Sequence, residues 1–172
     1  MDFHALIETH NNFPKEGIQY KDVLPILKSP ENFSNLINKM SKFDFFKNAD
    51  SIIAIDARGF IFGSGIALQL NKPLVLARKP GKLPGDVISS SYELEYGKNE
   101  LCIQNNSIKD FSSFAIVDDL LATGGTVGCV AKLLKSQKKI VRGLGVVIEL
   151  KELKGKSKFD FPTSSILSIW LM

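Results

Sequence analysis

Two cysteines and two histidines are all that the 172 residues contain. Cys102 and Cys129 lie in apolar stretches with no C-x-x-C spacing, so both read as reduced, partly buried thiols. Two Cys and two His this far apart in sequence also build no thiolate or imidazole metal site. Long apolar runs are missing too: none approaches the ~20 residues that a membrane span requires. The opening residues, Met-Asp-Phe-His-Ala-Leu-Ile-Glu, have neither a basic n-region nor an apolar h-region, which speaks against a secretory leader and for a cytoplasmic protein. There is no block of like charge, internal repeat or low-complexity tract. The densest basic cluster, Lys151, Lys154, Lys156 and Lys158, reads as a solvated face rather than a nucleic-acid patch.

What is present is ordinary for a globular chain. Hydrophobic residues make up 44% and charged residues 23%, and the length suits one domain, 1–172, with a single sizeable core. The net charge of +4 suits small polyanionic substrates, and equally nucleic acid or no anionic partner at all.

Periodicity gives the class. Phe3, Leu6 and Ile7 predict a short helix over 3–10, and Pro14, Gly17 and Pro25 break the segment 12–26 into extended, looped chain. Ser29-Pro30-Glu31 starts a helix carrying Phe33, Leu36, Ile37 and Met40. The run 51–55 predicts a buried strand, Asp56-Ala57-Arg58-Gly59 a turn, Gly63, Ile66, Ala67 and Leu70 a helix, and 74–77 a second strand: a βαβ unit. Residues 78–91, with Arg78, Lys79, Pro80, Gly81, Lys82, Pro84 and Gly85, read as a long basic loop of the functional kind. A hairpin is expected over 92–104, turning at Gly97-Lys98-Asn99. Further strands are expected at 114–117, 140–148 and 164–170, with a helix at 126–135. The expected architecture is α/β, a mostly parallel central sheet with helices on both faces.

One segment carries specific chemistry. A buried strand ends at Val117, Asp118 and Asp119 follow, and Ala122, Thr123, Gly124, Gly125 and Thr126 lead into a helix. Ligands of open α/β sheets bind at such strand ends. Paired glycines let successive N–H groups converge on one anion, the helix N-terminus adds partial positive charge, and the threonines add hydroxyl donors. A phosphomonoester is the natural occupant. Two carboxylates would repel it unless they face vicinal hydroxyls or a divalent cation. Phosphate beside a diol describes a ribose 5-phosphate. A bare Thr-Gly-Gly would fit an ordinary β–α turn, and no G-K-[ST] follows to make a Walker loop.

Taken together, residues 117–126 resemble the phosphoribosyl pyrophosphate (PRPP) motif of the type I phosphoribosyltransferases. The chain is similar, more closely, to the adenine-using members of that family. The further segments that carry the likeness are 13–22, 56–63, and 78–85 with Tyr92-Glu93-Leu94-Glu95-Tyr96-Gly97. The resemblance implies an N-terminal hood at 12–28, a flexible catalytic loop and hairpin at 78–100, and the reaction adenine + PRPP → AMP + pyrophosphate in purine salvage. It implies that Asp118 and Asp119 hold the ribose hydroxyls and residues 122–126 the 5-phosphate. Arg58, Arg78, Lys79, Lys82 and Tyr96 would hold pyrophosphate, and Glu95 would handle the proton. Gln19, Tyr20, Lys21 and Leu150 would contact adenine. Mg²⁺ would come with PRPP rather than be bound directly by protein, and a homodimer is implied, with no nucleic-acid or membrane partner. Lys21 stands where relatives often have Arg, and Glu16 where many have Pro. Two alternatives remain: an enzyme for another base (hypoxanthine, guanine, xanthine or orotate), and a non-catalytic PRPP-binding regulator.

Overall fold

The computed structural model describes residues 2–94 and 97–171. Five strands form a fully parallel sheet: β3 (Ser51–Ile55), β4 (Leu74–Ala77), β7 (Ser113–Leu121), β8 (Ile140–Leu150) and β9 (Thr163–Ile169). Their order is β4-β3-β7-β8-β9. Two hairpins lie outside this sheet. One pairs β1 (Glu8–Asn11) with β2 (Gln19–Asp22), and the other pairs β5 (Val87–Leu94) with β6 (Gly97–Gln104).

The sheet is buried on both faces, which is why its strands read as continuous apolar runs. Alternate side chains sort into two cores. Ile52, Ala115, Val117 and Val147 point to the side of α1 (Pro30–Met40), α2 (Asp44–Asn48) and α3 (Gly59–Gln69). Ile53, Ile55, Phe114, Ile116, Leu144 and Val146 point to the side of α5 (Gly125–Ser136) and the β5–β6 hairpin, near α4 (Asn105–Ile108). Side chains such as Phe46, Phe62 and Phe114 are fully buried, each contributing about 1.5–3 kcal/mol by leaving water. Helix α1 starts where its chemistry demands: the Ser29 hydroxyl accepts from Asn32 N at 3.2 Å, and Pro30 occupies the first turn.

Several expectations need correction. Residues 3–10 are not a helix. A single 3-10 turn, His4–Leu6, leads into β1, because cross-strand pairing with β2 outweighs a three-residue helical pattern. The segment 12–26, expected as extended, looped chain, contains β2 and runs into a 3-10 turn, Leu24–Lys28. The basic loop is shorter than expected, since β5 already begins at Val87, and Leu94 pairs with Gly97. Gly97, Lys98 and Asn99 therefore belong to β6 rather than to a turn. Helix α2 is too short to leave a periodic trace. Strand β7 continues four residues beyond Val117, because the long neighbour β8 keeps pairing with it, Asp118 against Val146 and Leu120 against Ile148.

The strand order fixes where a ligand can sit. From β3 the chain passes to β4 on one side, and the return through β7 lies on the other. The C-terminal ends of β3 and β7 therefore flank the point where the winding reverses, and the crevice there is left uncovered.

Candidate active site

That crevice holds a cleft of about 360 Å³ lined by Asp56, Ala57, Arg58, Lys79, Glu100 and Leu101 on one side and by residues 118–127 on the other. Its floor is the turn from β7 into α5. Gly124 has φ +82 and ψ 6 and caps the helix. A left-handed residue here costs glycine almost nothing and would strain any other residue. It brings the N-terminal amides of α5 to the cleft, where the helix dipole favours an anion.

The two acids sit inside β7, not beyond its end, and both line the cleft. Asp118 is buried, and its Oδ1 accepts from Asp119 N at 2.9 Å. Burial, reinforced by the charge of Asp119, pushes its carboxyl well above the usual range. Burial also raises Asp119, against the pull of Arg58, whose Nη2 is 2.8 Å from Asp119 Oδ2.

Arg58 is the hub of the second wall. It lies three residues past the end of β3, so the sheet delivers its guanidinium to the acids of β7. Its Nη1 donates to the Tyr20 hydroxyl, and the guanidinium stands over the Tyr20 ring at 5.0 Å. The β1–β2 hairpin is thereby tied to the cleft through one side chain. Asp56, two residues earlier, accepts from Arg78 Nε at 2.9 Å, and Arg78 also donates to the Lys82 carbonyl at 3.3 Å and lies 5.5 Å over Phe60. The approach of α3 to β7 is close: a Cβ on Gly59 would lie 2.9 Å from Val117 O and 3.1 Å from Asp118 Oδ1.

The expected residues are thus placed unevenly. Arg58, Lys79, Asp118, Asp119, Ala122, Thr123, Gly124, Gly125 and Thr126 line one cleft. Arg78 stands beside it on Asp56, while Lys82 is not among the lining residues. Tyr20 meets the cleft through Arg58. Gln19 pairs with Asn11, and Lys21 donates to Thr9 Oγ1 at 3.1 Å, both within the hairpin. Leu150 ends β8, buried in the core on the α1–α3 side. Glu95 and Tyr96 lie outside the described residues. Sequence reasoning missed Asp56 as the partner of Arg78, Gly59 as a spacer, and Glu100 and Leu101 as lining residues. Only Gly59 left a trace, a glycine at the start of a helix.

Known proteins with related sequences fit this geometry. The phosphoribosyl transferase domain family matches residues 24–166. An adenine phosphoribosyltransferase of Prochlorococcus marinus is 59% identical over 164 residues, covering 95% of this chain and 96% of the relative. The structure of adenine phosphoribosyltransferase from Thermoanaerobacter pseudethanolicus superposes with a TM-score of 0.92 at 39% identity, covering 97% and 98% of the two chains. The Saccharomyces cerevisiae enzyme, solved with an imino-altritol bisphosphate and adenine, gives 0.89 at 36% identity, covering 96% of each chain.

Proposed function

The chain belongs to the phosphoribosyl transferase domain family, and from that membership we propose that it transfers the 5-phosphoribosyl group of PRPP to adenine, giving AMP and pyrophosphate. The observation that carries this reading is the convergence of Asp118, Asp119, the Gly124-capped start of α5 and Arg58 on one cleft, in a chain 59% identical to an adenine phosphoribosyltransferase.

In this reading the 5-phosphate lies on the amides and hydroxyls of residues 122–126, and the ribose hydroxyls donate to Asp118 and Asp119. Arg58, Lys79, Arg78 and Lys82 neutralise the pyrophosphate as it departs, and Tyr96 contributes a phosphate contact. A ring nitrogen of adenine forms its bond to C1 of the ribose while the bond from C1 to pyrophosphate oxygen breaks, and Glu95 receives the proton that the nitrogen gives up. Gln19, Tyr20, Lys21 and Leu150 hold the base. Arg58 starts on Asp119. PRPP offers both a better partner, hydroxyls for the carboxylate and phosphate oxygens for the guanidinium, so binding exchanges one set of contacts for another.

Mg²⁺ is the metal that this reading implies. The described lining residues offer it carboxylate oxygens and neither thiolate nor imidazole, a donor set that fits a hard cation met through PRPP oxygens and water. When bound, it supplies charge neutralisation on the leaving pyrophosphate. Kinship also favours a cytoplasmic homodimer acting as a single domain, with 12–28 as hood and 78–100 as catalytic loop and hairpin; among the described residues no helix is long and apolar enough to cross a membrane.

Steady-state assays with PRPP and adenine, hypoxanthine, guanine or orotate test the proposal. Adenine should give the highest kcat/KM. Faster turnover of a 6-oxopurine or of orotate would overturn the choice of base, and PRPP binding without pyrophosphate release on adding any base would overturn catalysis itself.

A further inference from the structure

The cluster of Lys151, Lys154, Lys156 and Lys158 surrounds a residue that the reaction as described leaves unused. Gly155 is buried among these exposed or half-exposed lysines, at the start of the 3-10 turn Gly155–Lys158. A Cβ there would lie 2.2 Å from Ala122 O, 3.1 Å from Gly124 N and 3.1 Å from Leu121 Cδ1. The fit is reciprocal, since a Cβ on Gly124 would lie 3.1 Å from Gly155 O and 3.0 Å from Phe159 Cζ. Neither Gly155 nor Phe159 lines the cleft, so both meet the 122–124 turn from its other side.

The supporting segment is itself held. Lys154 O accepts from Ser157 N at 3.1 Å and from Ser157 Oγ at 2.7 Å. Phe159 stacks on Phe161 at 4.9 Å, and Asp160 pairs with Lys135 of α5 at 2.9 Å. The anion-binding turn is thus gripped between the start of α5 and a second segment anchored to the same helix. Gly155 does not have a positive φ, so its backbone would accept alanine. Only the space denies it, and the obstacle is the backbone carbonyl of Ala122, which has no rotamer to move aside.

We infer that Gly155 is a positioning residue for phosphate binding, setting the 122–124 turn from behind so that its amides converge on the 5-phosphate. This rests on the reading that residues 122–126 hold that phosphate. Misplacing a binding group by about 1 Å can cost on the order of a hundredfold.

The test is calorimetric titration of wild type, Gly155→Ala, Phe159→Ala and Gly128→Ala with ribose 5-phosphate and, separately, with pyrophosphate and Mg²⁺. Gly128 is the control, because a Cβ there meets only Phe159 Cε1, at 3.9 Å. Gly155→Ala should weaken ribose 5-phosphate by roughly ten- to a hundredfold and leave pyrophosphate within about twofold, since the two ligands use different walls. Phe159→Ala, which loosens the same support without a clash, should weaken ribose 5-phosphate by about threefold or more and serves if Gly155→Ala does not fold. Gly128→Ala should match wild type for both. Unchanged ribose 5-phosphate affinity in a folded Gly155→Ala or Phe159→Ala would overturn the inference, as would equal loss of both ligands. Failure of wild type to bind ribose 5-phosphate would instead overturn the reading of the loop, and the inference with it.

Discussion

Replacing Asp119 by asparagine separates catalysis from folding. The side chain is 8% exposed and paired with Arg58 at 2.8 Å. Asparagine keeps the shape but removes the charge and turns one oxygen into an N–H₂ donor. That donor would face ribose hydroxyls or the guanidinium, which are donors too. Hydrogen bonds to a charged partner contribute about 1.5–3 kcal/mol each. Losing the acceptor at one contact and the charge at the other removes about 3 kcal/mol, roughly a hundredfold in kcat/KM for PRPP at saturating adenine. Stability should hardly move. The variant loses an ion pair with the partly exposed Arg58, but it also relieves the charge that Asp119 places beside Asp118. These opposing effects leave a net of about 1 kcal/mol or less, or about 2–4 °C in melting temperature for a chain of this size. The assays are steady-state kinetics and a thermal melt on the same preparation. A kcat/KM within about threefold of wild type would refute the diol role, and a collapse of the melt would show that Asp119 is structural instead.

Three further outcomes follow from the same geometry. Asp118→Asn should be more stable than wild type at neutral pH and less active, because Asn Oδ1 still accepts from Asp119 N while the buried charge is gone. The sign is set by the raised carboxyl of Asp118: folding favours its neutral form, so wild type falls behind as pH rises above about 4 through the folded pKa, and the gap in melting temperature is full above it. Equal melts at low and neutral pH would count against this. Gly59→Ala places a Cβ about half an ångström inside ordinary contact with Val117 O, and the displaced start of α3 should lower kcat/KM by about tenfold; wild-type kinetics would show that the approach of α3 is not needed. Glu95→Gln should lower kcat by about a hundredfold or more with little change in the KM for PRPP, and an unchanged kcat would remove Glu95 from the chemistry.

How much could be read in advance depended on the range of the interaction responsible. Short contiguous patterns were legible: the all-apolar run of β3, the Ser29-Pro30 start of α1, and the strand–acid–glycine–helix sequence around residues 117–126 are each decided within about a dozen residues. The 3–10 segment misled because its helical pattern spans only three apolar residues, and its strand exists through pairing with residues 19–22. The end of β7 was placed four residues early for the same reason, since its continuation depends on β8.

The sequence by itself determined the class of the fold, the anion-binding turn and the identity of the groups that could meet a ribose phosphate. The tertiary structure alone decided how they are arranged. Parallel pairing of β3 with β7 sets Arg58 against Asp119, although 60 positions separate them in the chain. Folding the β1–β2 hairpin over the sheet ties Tyr20 to that pair. Only the return of the chain after β8 lays Gly155 behind Ala122. These contacts join segments distant in sequence, and what brings them together is burial of both faces of one parallel sheet, which no local pattern records.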